Sequence, residues 1–68
     1  MKIVLNMVRC DACRQVLLSL HSHDFRQCPC GTFTDGGTEY IRRGGDAPQT
    51  DLTIVLVDGK LRELKELQ

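Results

Sequence analysis

The sequence predicts a small β-rich zinc ribbon, with antiparallel hairpins stapled by one zinc ion and a short C-terminal hairpin or helix. Two close cysteine pairs carry the metal expectation: Cys10-x2-Cys13 and, after fourteen intervening residues, Cys28-x-Cys30. Apolar residues that alternate with period two on either side of those pairs carry the strand expectation. Length supplies the third observation. At 68 residues the chain forms one domain, of a size where a hydrophobic core alone is marginal and a staple is usually needed.

In residues 2–8, Ile3, Leu5 and Met7 share one face and Val4 and Val8 the other, which Asn6 interrupts; this reads as a strand running into Cys10. Beyond the Cys10–Cys13 turn, Gln15 to Leu20 reads as the returning strand, with a helix over residues 11–20 as the alternative. His21 to Phe25 is a polar interruption. Cys28-Pro29-Cys30-Gly31 makes the second turn, with proline fixing φ and glycine permitting the tight exit. Thr32 to Thr34 is a short strand, Asp35-Gly36-Gly37 a turn, and Tyr40 to Arg43 a further strand ended by Gly44-Gly45. Residues 46–50, with Pro48, read as a loop. Leu52 to Val57 is the strongest strand signal, and Asp58-Gly59 suits a two-residue hairpin turn. The final stretch, 60–67, fits a hairpin strand and equally a short amphipathic helix carrying Leu61, Leu64 and Leu67. The chain thus divides into a metal-stapled core, residues 1–45, and a C-terminal strand plus hairpin or helix, residues 46–68, packed on the same domain.

The residues that can build a core are aliphatic, since there is one Tyr, two Phe and no Trp. They suffice for a small sheet and are too few to wall a deep cleft. Nine basic residues balance nine acidic ones. Four thiolates on one dication would leave the loaded chain mildly acidic, so overall charge offers no attraction for nucleic acid or an anionic membrane. The balance is uneven: residues 1–45 hold six basic groups against four acidic, and residues 46–68 three against five. The opening apolar stretch lacks the length and cleavage site of a signal peptide, and no run approaches the roughly 18–20 apolar residues of a membrane span. A cytoplasmic protein with reduced thiols is expected, where four cysteines favour a metal over disulfides. In a secreted chain two disulfides would be the simpler reading.

Zinc takes four ligands near tetrahedral geometry. A Cys-x2-Cys turn converges its sulfurs with backbone amides facing them, whereas Cys-x-Cys works only where the chain turns tightly, as Pro29 and Gly31 allow. Cys10, Cys13, Cys28 and Cys30 are therefore the expected ligands of one structural Zn2+ per chain. His21 and His23 are reserve ligands for a Cys3His set. An iron site of rubredoxin type and free buried cysteines are the alternatives. Arg14 stands where many zinc knuckles carry glycine.

Together, Cys10-x2-Cys13, Ser19-x-His21-x-His23-Asp24-Phe25, Cys28-x-Cys30-Gly31, Asp35-Gly36-Gly37 and Tyr40-x-Arg42-Arg43-x-Gly45 resemble the pattern of a family of short proteins from bacteriophages, prophages and some bacteria. The resemblance spans roughly residues 1–45, and residues 46–68 look like a lineage-specific tail. It implies a zinc-binding accessory protein in a bacterial cytoplasm. By analogy with other small phage proteins, it implies one that binds and modulates or inhibits a bacterial host or defence protein.

Beyond the cysteines, His21-x-His23-Asp24 can be read as hydrolase chemistry, a histidine base oriented by an aspartate near a metal. A four-cysteine zinc is coordinatively closed and cannot activate water, so catalysis is not expected. His23, Asp35, Tyr40, Arg42 and Arg43 are the expected partner or ligand contacts. On a strand Tyr40 and Arg42 share a face, where an aromatic beside an arginine can stack a base or meet a phosphate. The structural alternative pairs Arg42 and Arg43 with Glu39, Asp46 or Asp35. A binding module for a host or defence protein is the leading functional expectation, and a nucleic-acid or nucleotide-binding ribbon using Tyr40, Arg42 and Arg43 is the alternative. The apolar C-terminal segment adds an expectation of a homo-oligomer.

Overall fold

β1 (Lys2–Cys10) is the longest element of the computed structural model, which describes residues 1–68, and both of its edges are paired. On one edge lies β2 (Val16–Ser19), in an antiparallel register from Asn6↔Ser19 to Arg9↔Val16. The other edge is shared in succession by β7 (Ile54–Val57) and β6 (Gln49–Asp51), and β8 (Lys60–Glu63) continues the sheet from β7. A second, three-stranded antiparallel sheet is built from β3 (Arg26–Gln27), β4 (Phe33–Asp35) and β5 (Arg42–Gly44), with β4 in the middle. The class is a small, β-rich antiparallel fold, and the helix alternative over residues 11–20 does not form. At the C-terminus both expectations are met in sequence. The Asp58-Gly59 turn leads into β8, and a 3-10 turn covers Leu64–Leu67. Residues 46–68 are integral to the sheet, because β6 and β7 supply one whole edge of β1.

A register shift between Ile3 and Leu5 decides which side of β1 is interior. Such a bulge turns the strand so that the alternation changes face. Beyond it Asn6, Val8 and Cys10 are fully buried, while Leu5 and Met7 lie on the opposite, partly open face. The side that Asn6 interrupts is thus the interior one, and the interruption is itself part of the core. Buried apolar residues are limited to Val8, Cys10, Leu17, Cys28 and Val55. Buried polar ones are more numerous: Asn6, Ser19, Asp24, Thr32, Thr34, Asp35 and Thr53. An interior of that kind holds together only if its polar groups are paired.

Asn6 and Arg43 do most of that pairing. The Asn6 amide Nδ2 donates to the carbonyls of Asp35 (2.9 Å), Gly37 (3.1 Å) and Tyr40 (3.2 Å), which fastens the Asp35-Gly36-Gly37 turn onto β1. Its Oδ1 accepts from the Thr34 hydroxyl (2.6 Å) and from Arg43 Nη2 (2.9 Å). The same Arg43 guanidinium reaches Asp51 Oδ1 at 2.9 Å, Thr53 Oγ1 at 2.9 Å and Thr34 Oγ1 at 3.3 Å. One planar fork thereby ties β5, β4, β1 and the β6–β7 region together.

Four expectations are corrected. The loop foreseen over residues 46–50 gives way at Gln49 to β6. A strand can begin directly after Pro48 because proline needs no ladder donor there. The long strand over Leu52–Val57 is broken, with Leu52 and Thr53 outside β7. There the Thr53 hydroxyl takes the Met7 N–H (3.3 Å) and Asp51 Oδ1 takes the Thr53 N–H (2.9 Å), replacing ladder bonds with side-chain ones. The strand foreseen over Tyr40–Arg43 begins only at Arg42, because the Tyr40 amide folds back onto the Gly36 carbonyl (3.3 Å) and belongs to the turn. Tyr40 and Arg42 therefore do not form a side-by-side pair on one strand. Finally, β3 was not foreseen at all; it exists because Arg26 and Gln27 find Thr34 and Phe33 opposite them.

Candidate metal centre

Each cysteine pair sits where a strand ends in a tight turn. In the first, the Cys10 amide donates to the Gln15 carbonyl (2.9 Å) and the Arg14 amide to the Cys10 carbonyl (2.7 Å), bending the chain so that Cys13 returns over Cys10. Arg14 adopts φ +66° to close this turn. That is the left-handed conformation for which glycine is the easy residue, so Arg14 takes a backbone geometry that glycine would adopt at lower cost. In the second turn, the Cys28 amide donates to the Thr32 carbonyl and the Gly31 amide to the Cys28 carbonyl, both at 3.0 Å, with Gly31 at φ +89°. The C-terminal segment braces the first turn. Asp11 N–H donates to the Pro48 carbonyl (2.9 Å), the Thr50 hydroxyl to Asp11 Oδ2 (2.7 Å), and Arg9 Nε to Asp11 Oδ1 (2.9 Å). Those contacts from Arg9 and Thr50 hold the Asp11 carboxyl below its usual range.

The two turns bring Cys10, Cys13, Cys28 and Cys30 together with all four sulfurs within 4.8 Å of one another. Cys10 and Cys28 are buried, Cys13 and Cys30 exposed, and none is in a disulfide. A tetrahedral ion with metal–sulfur bonds of about 2.3 Å needs sulfurs about 3.8 Å apart. A contraction of at most about 1 Å therefore converts this cluster into a closed coordination shell. Its electrostatics call for a cation. The Cys10 thiol is lowered to about 6, chiefly by the Thr32 hydroxyl and next by the Cys13 amide. Thr32 Oγ1 is buried and makes no hydrogen bond of ordinary length and angle. The Cys30 thiol is pushed up to about 12, first by the Cys13 side chain, then by desolvation and by Cys10. One proton leaves this site readily and the last is held hard, the behaviour of crowded thiols with no positive charge among them. Four soft sulfur donors fit a thiophilic metal ion.

The histidines expected as reserve ligands lie outside this cluster. His21 Nδ1 donates to the Ser22 carbonyl (3.1 Å), and His23, at φ +63°, is hydrogen-bonded through Nδ1 to the Tyr40 hydroxyl (3.1 Å). Nor does Asp24 orient either ring. Its carboxylate accepts from the Leu20 amide (2.7 Å) and Arg26 Nε (2.9 Å), and that amide, with Arg26 behind it, keeps the acid ionised below its usual range. The Ser19-x-His21-x-His23-Asp24 stretch is a braced loop. The Ser19 hydroxyl donates to the Asp24 carbonyl (2.7 Å) and accepts the Gly37 amide (2.9 Å), and a side chain at Gly37 would run into the His21 backbone.

Of the expected contact residues, Arg43 lies in the interior with only 14 % of its side chain exposed, and Asp35 is buried with Arg42 Nε 3.5 Å from its carboxylate. His23, Tyr40 and Arg42 reach the surface. Sequence reasoning missed their neighbours. Phe25 and Phe33 stack at 5.1 Å between centroids and 29° between planes, and the Arg42 guanidinium sits 5.7 Å from the Phe33 centroid. The signal was present in the chain, since these two phenylalanines bracket the Cys28–Cys30 turn at the hairpin it closes. His23 and Tyr40 meet edge-on at 6.0 Å. All three aromatic residues of the chain thus open onto the three-stranded sheet and the loop beside it.

A family model described as a domain of unknown function (DUF7695) matches residues 2–45. The chain belongs to this family. The match takes in both cysteine pairs, β1 to β5 and the aromatic cluster, and ends before β6, so the family segment contains the whole candidate metal centre and the tail supplies its brace. No curated protein and no solved structure matches the chain. No helix is long and apolar enough to cross a membrane.

Proposed function

We propose that the chain is a zinc-stapled binding module, a minimal zinc ribbon whose metal holds two turns in place and whose three-stranded sheet meets a protein partner. The observation that carries this reading is the Phe25–Phe33 stack with Arg42 over it, backed by the His23–Tyr40 pair. Aromatic and arginine side chains are the residue types that dominate binding energy at protein interfaces, and a small chain gains by folding such groups inward unless something meets them outside. Zinc is the metal best suited to four thiolates near tetrahedral geometry, and with that set complete it serves structure and not catalysis. Resemblance of residues 1–45 to short phage and prophage proteins supports a bacterial host or defence protein as the partner, one that the module modulates or inhibits. The partner test is retention of a stoichiometric protein from bacterial lysate by the tagged, metal-loaded chain after nuclease treatment. Retention should be lost in Phe25→Ala/Phe33→Ala, and equal retention by that variant would overturn the assignment of the face.

The same stack favours a second reading, because Phe25, Phe33 and Arg42 are also groups on which bases of a single strand stack. In this form the nucleic-acid reading uses Arg42 with the phenylalanines, Arg43 being held inside. Material that is retained without nuclease and lost with it would select this reading over the first.

A further inference from the structure

We infer that the outer face of the five-stranded sheet is a dimer interface, on which a second copy of this chain stacks sheet against sheet. Directly opposed residues in a sheet share a face, as do residues two apart on one strand. The registers Met7↔Leu18, Leu5↔Ile54 and Leu56↔Leu61 therefore lay one apolar stripe across β2, β1, β7 and β8. Val16 and Leu20 lengthen it on the β2 side. The three-stranded sheet does not cover this stripe, because it lies against the opposite face, where Asn6 holds Thr34 and the carbonyls of Asp35 and Gly37. Leu5, Val16, Leu20 and Leu61 are accordingly 38 %, 50 %, 59 % and 65 % exposed.

Area and core size choose a second copy as the occupant. Taken with the half-buried members, these exposures leave the stripe offering roughly 500 Å² on each copy, the size at which an apolar patch marks an interface. Adding the flanking side chains, a symmetric pair buries about 1,200 Å² in all, where specific stable dimers begin. The stripe also holds more apolar residues than the interior, which has five that are buried. A short chain with so thin a core is one that association completes, and stacking turns an exposed layer into a second core between two packed sheets. A face that the fold itself needs covered calls for a partner present wherever the chain is, and another copy meets that condition. Charge stands only at the rim, with Lys2 beside Leu56, Arg9 beside Val16 and Glu63 beside Ile54. Arg9 is paired with Asp11 and Glu63 with Lys65, so the centre of the face carries nothing that repels an identical surface. The dimer goes beyond the binding-module reading and leaves its face free. Thr34 points to Asn6, so Phe33 next to it on β4 points away from the five-stranded sheet, and the pair displays a Phe25–Phe33 face on each outer side.

Sedimentation equilibrium of the metal-loaded protein under reducing conditions, between about 5 and 500 μM, should show a monomer–dimer equilibrium with a Kd of about 10 μM. Leu61→Glu changes a side chain that the single chain leaves exposed, and should weaken the dimer about tenfold or more while metal loading and the urea midpoint stay at the parent's values. Leu5→Lys, nearer the centre of the stripe, should do the same. Stacking leaves hydrogen exchange at the outward amides of β2 and β8 as it is in the monomer. A chain that is still monomeric at about 500 μM, association indifferent to both substitutions, or new protection of those edge amides as the copies pair would each overturn the inference. So would a monomer that holds a lysate protein through Leu5 and Leu61. Lysate retention that depends on Phe25 and Phe33 but not on Leu61 leaves the binding-module reading standing even where the dimer falls.

Discussion

Replacing Asn6 with leucine reverses the sign that hydrophobic patterning assigns to it. By pattern, Asn6→Leu completes an apolar face of β1 and should stabilise the fold by about 1 kcal/mol or more. In the structure it removes the donor for three carbonyls and the acceptor for Thr34 and Arg43. The bonds to Asp35 and Gly37 are buried, so those carbonyls lose their partner where water does not replace it, at about 1.5 kcal/mol each. Arg43 keeps Asp51, Thr53 and Thr34 and loses one acceptor, about 1 kcal/mol, and Thr34 loses a comparable amount. Burial of the leucine returns about 2 kcal/mol, leaving a net loss of about 3 kcal/mol. A chain of 68 residues has a total stability of roughly 3–10 kcal/mol. On the proposed metal-stapled reading, metal binding and folding are coupled, so the loss should read out as an apparent metal affinity lower by about a hundredfold. Chelator competition, alongside urea melts of the loaded protein, measures both quantities. Affinity and midpoint equal to or above the parent's would refute the account of the core.

Arg43→Lys should cost about 2–3 kcal/mol in the same melts despite keeping the charge, because an ammonium cannot span Asp51, Thr53, Thr34 and Asn6 from one position; stability equal to the parent's would show that charge alone suffices. Arg14→Gly should leave stability within about 1 kcal/mol of the parent, since relief of the φ +66° conformation offsets the added freedom of the unfolded chain, while Arg14→Val should lose about 1–2 kcal/mol. Metal affinity should rise with pH. The metal-free cluster holds protons, the hardest at Cys30 with its thiol pushed up to about 12, and a bound cation displaces them. Affinity should therefore fall as pH is lowered, and fall further near pH 6, where Cys10, lowered to about 6, also takes a proton. Competition titrations between pH 5 and 8 measure the slope, and a flat profile would argue against thiolate ligation.

The cysteine turns, the strand into Cys10, the return strand and the Asp58-Gly59 hairpin were all legible in the residues, because turn chemistry and period-two alternation act locally. What escaped has a common physical cause. Hydrophobic patterning treats Asn6 as a flaw and Arg43 as a surface charge, yet Asn6 is paired with groups more than twenty-five residues away, and Arg43 is drawn inward by Asn6 together with Thr34, Asp51 and Thr53. Ser19, Asp24 and Gly37 stood out in the sequence, and their roles as a loop brace depend on the Ser19 hydroxyl bridging the nearby Asp24 carbonyl to the distant Gly37 amide. The bulge between Ile3 and Leu5 also exchanges the faces of β1, which no alternation within the strand announces. At the candidate contact face, the strand boundary at Arg42 moved Tyr40 into the turn and left Phe25 and Phe33 as the outward pair.

β1 also sets an order in time. It is synthesised well before the strands that close its second edge, β6 and β7, which begin only at Gln49 and Ile54. At about 5–20 residues per second the wait lasts a few seconds, during which the β1–β2 hairpin and both cysteine turns can already exist with one strand edge open. Metal captured in that interval would rigidify a half-built sheet before its last strands arrive. On the proposed metal-stapled reading, metal supply during translation thereby becomes a determinant of how much chain folds and how much pairs with its neighbours through that edge.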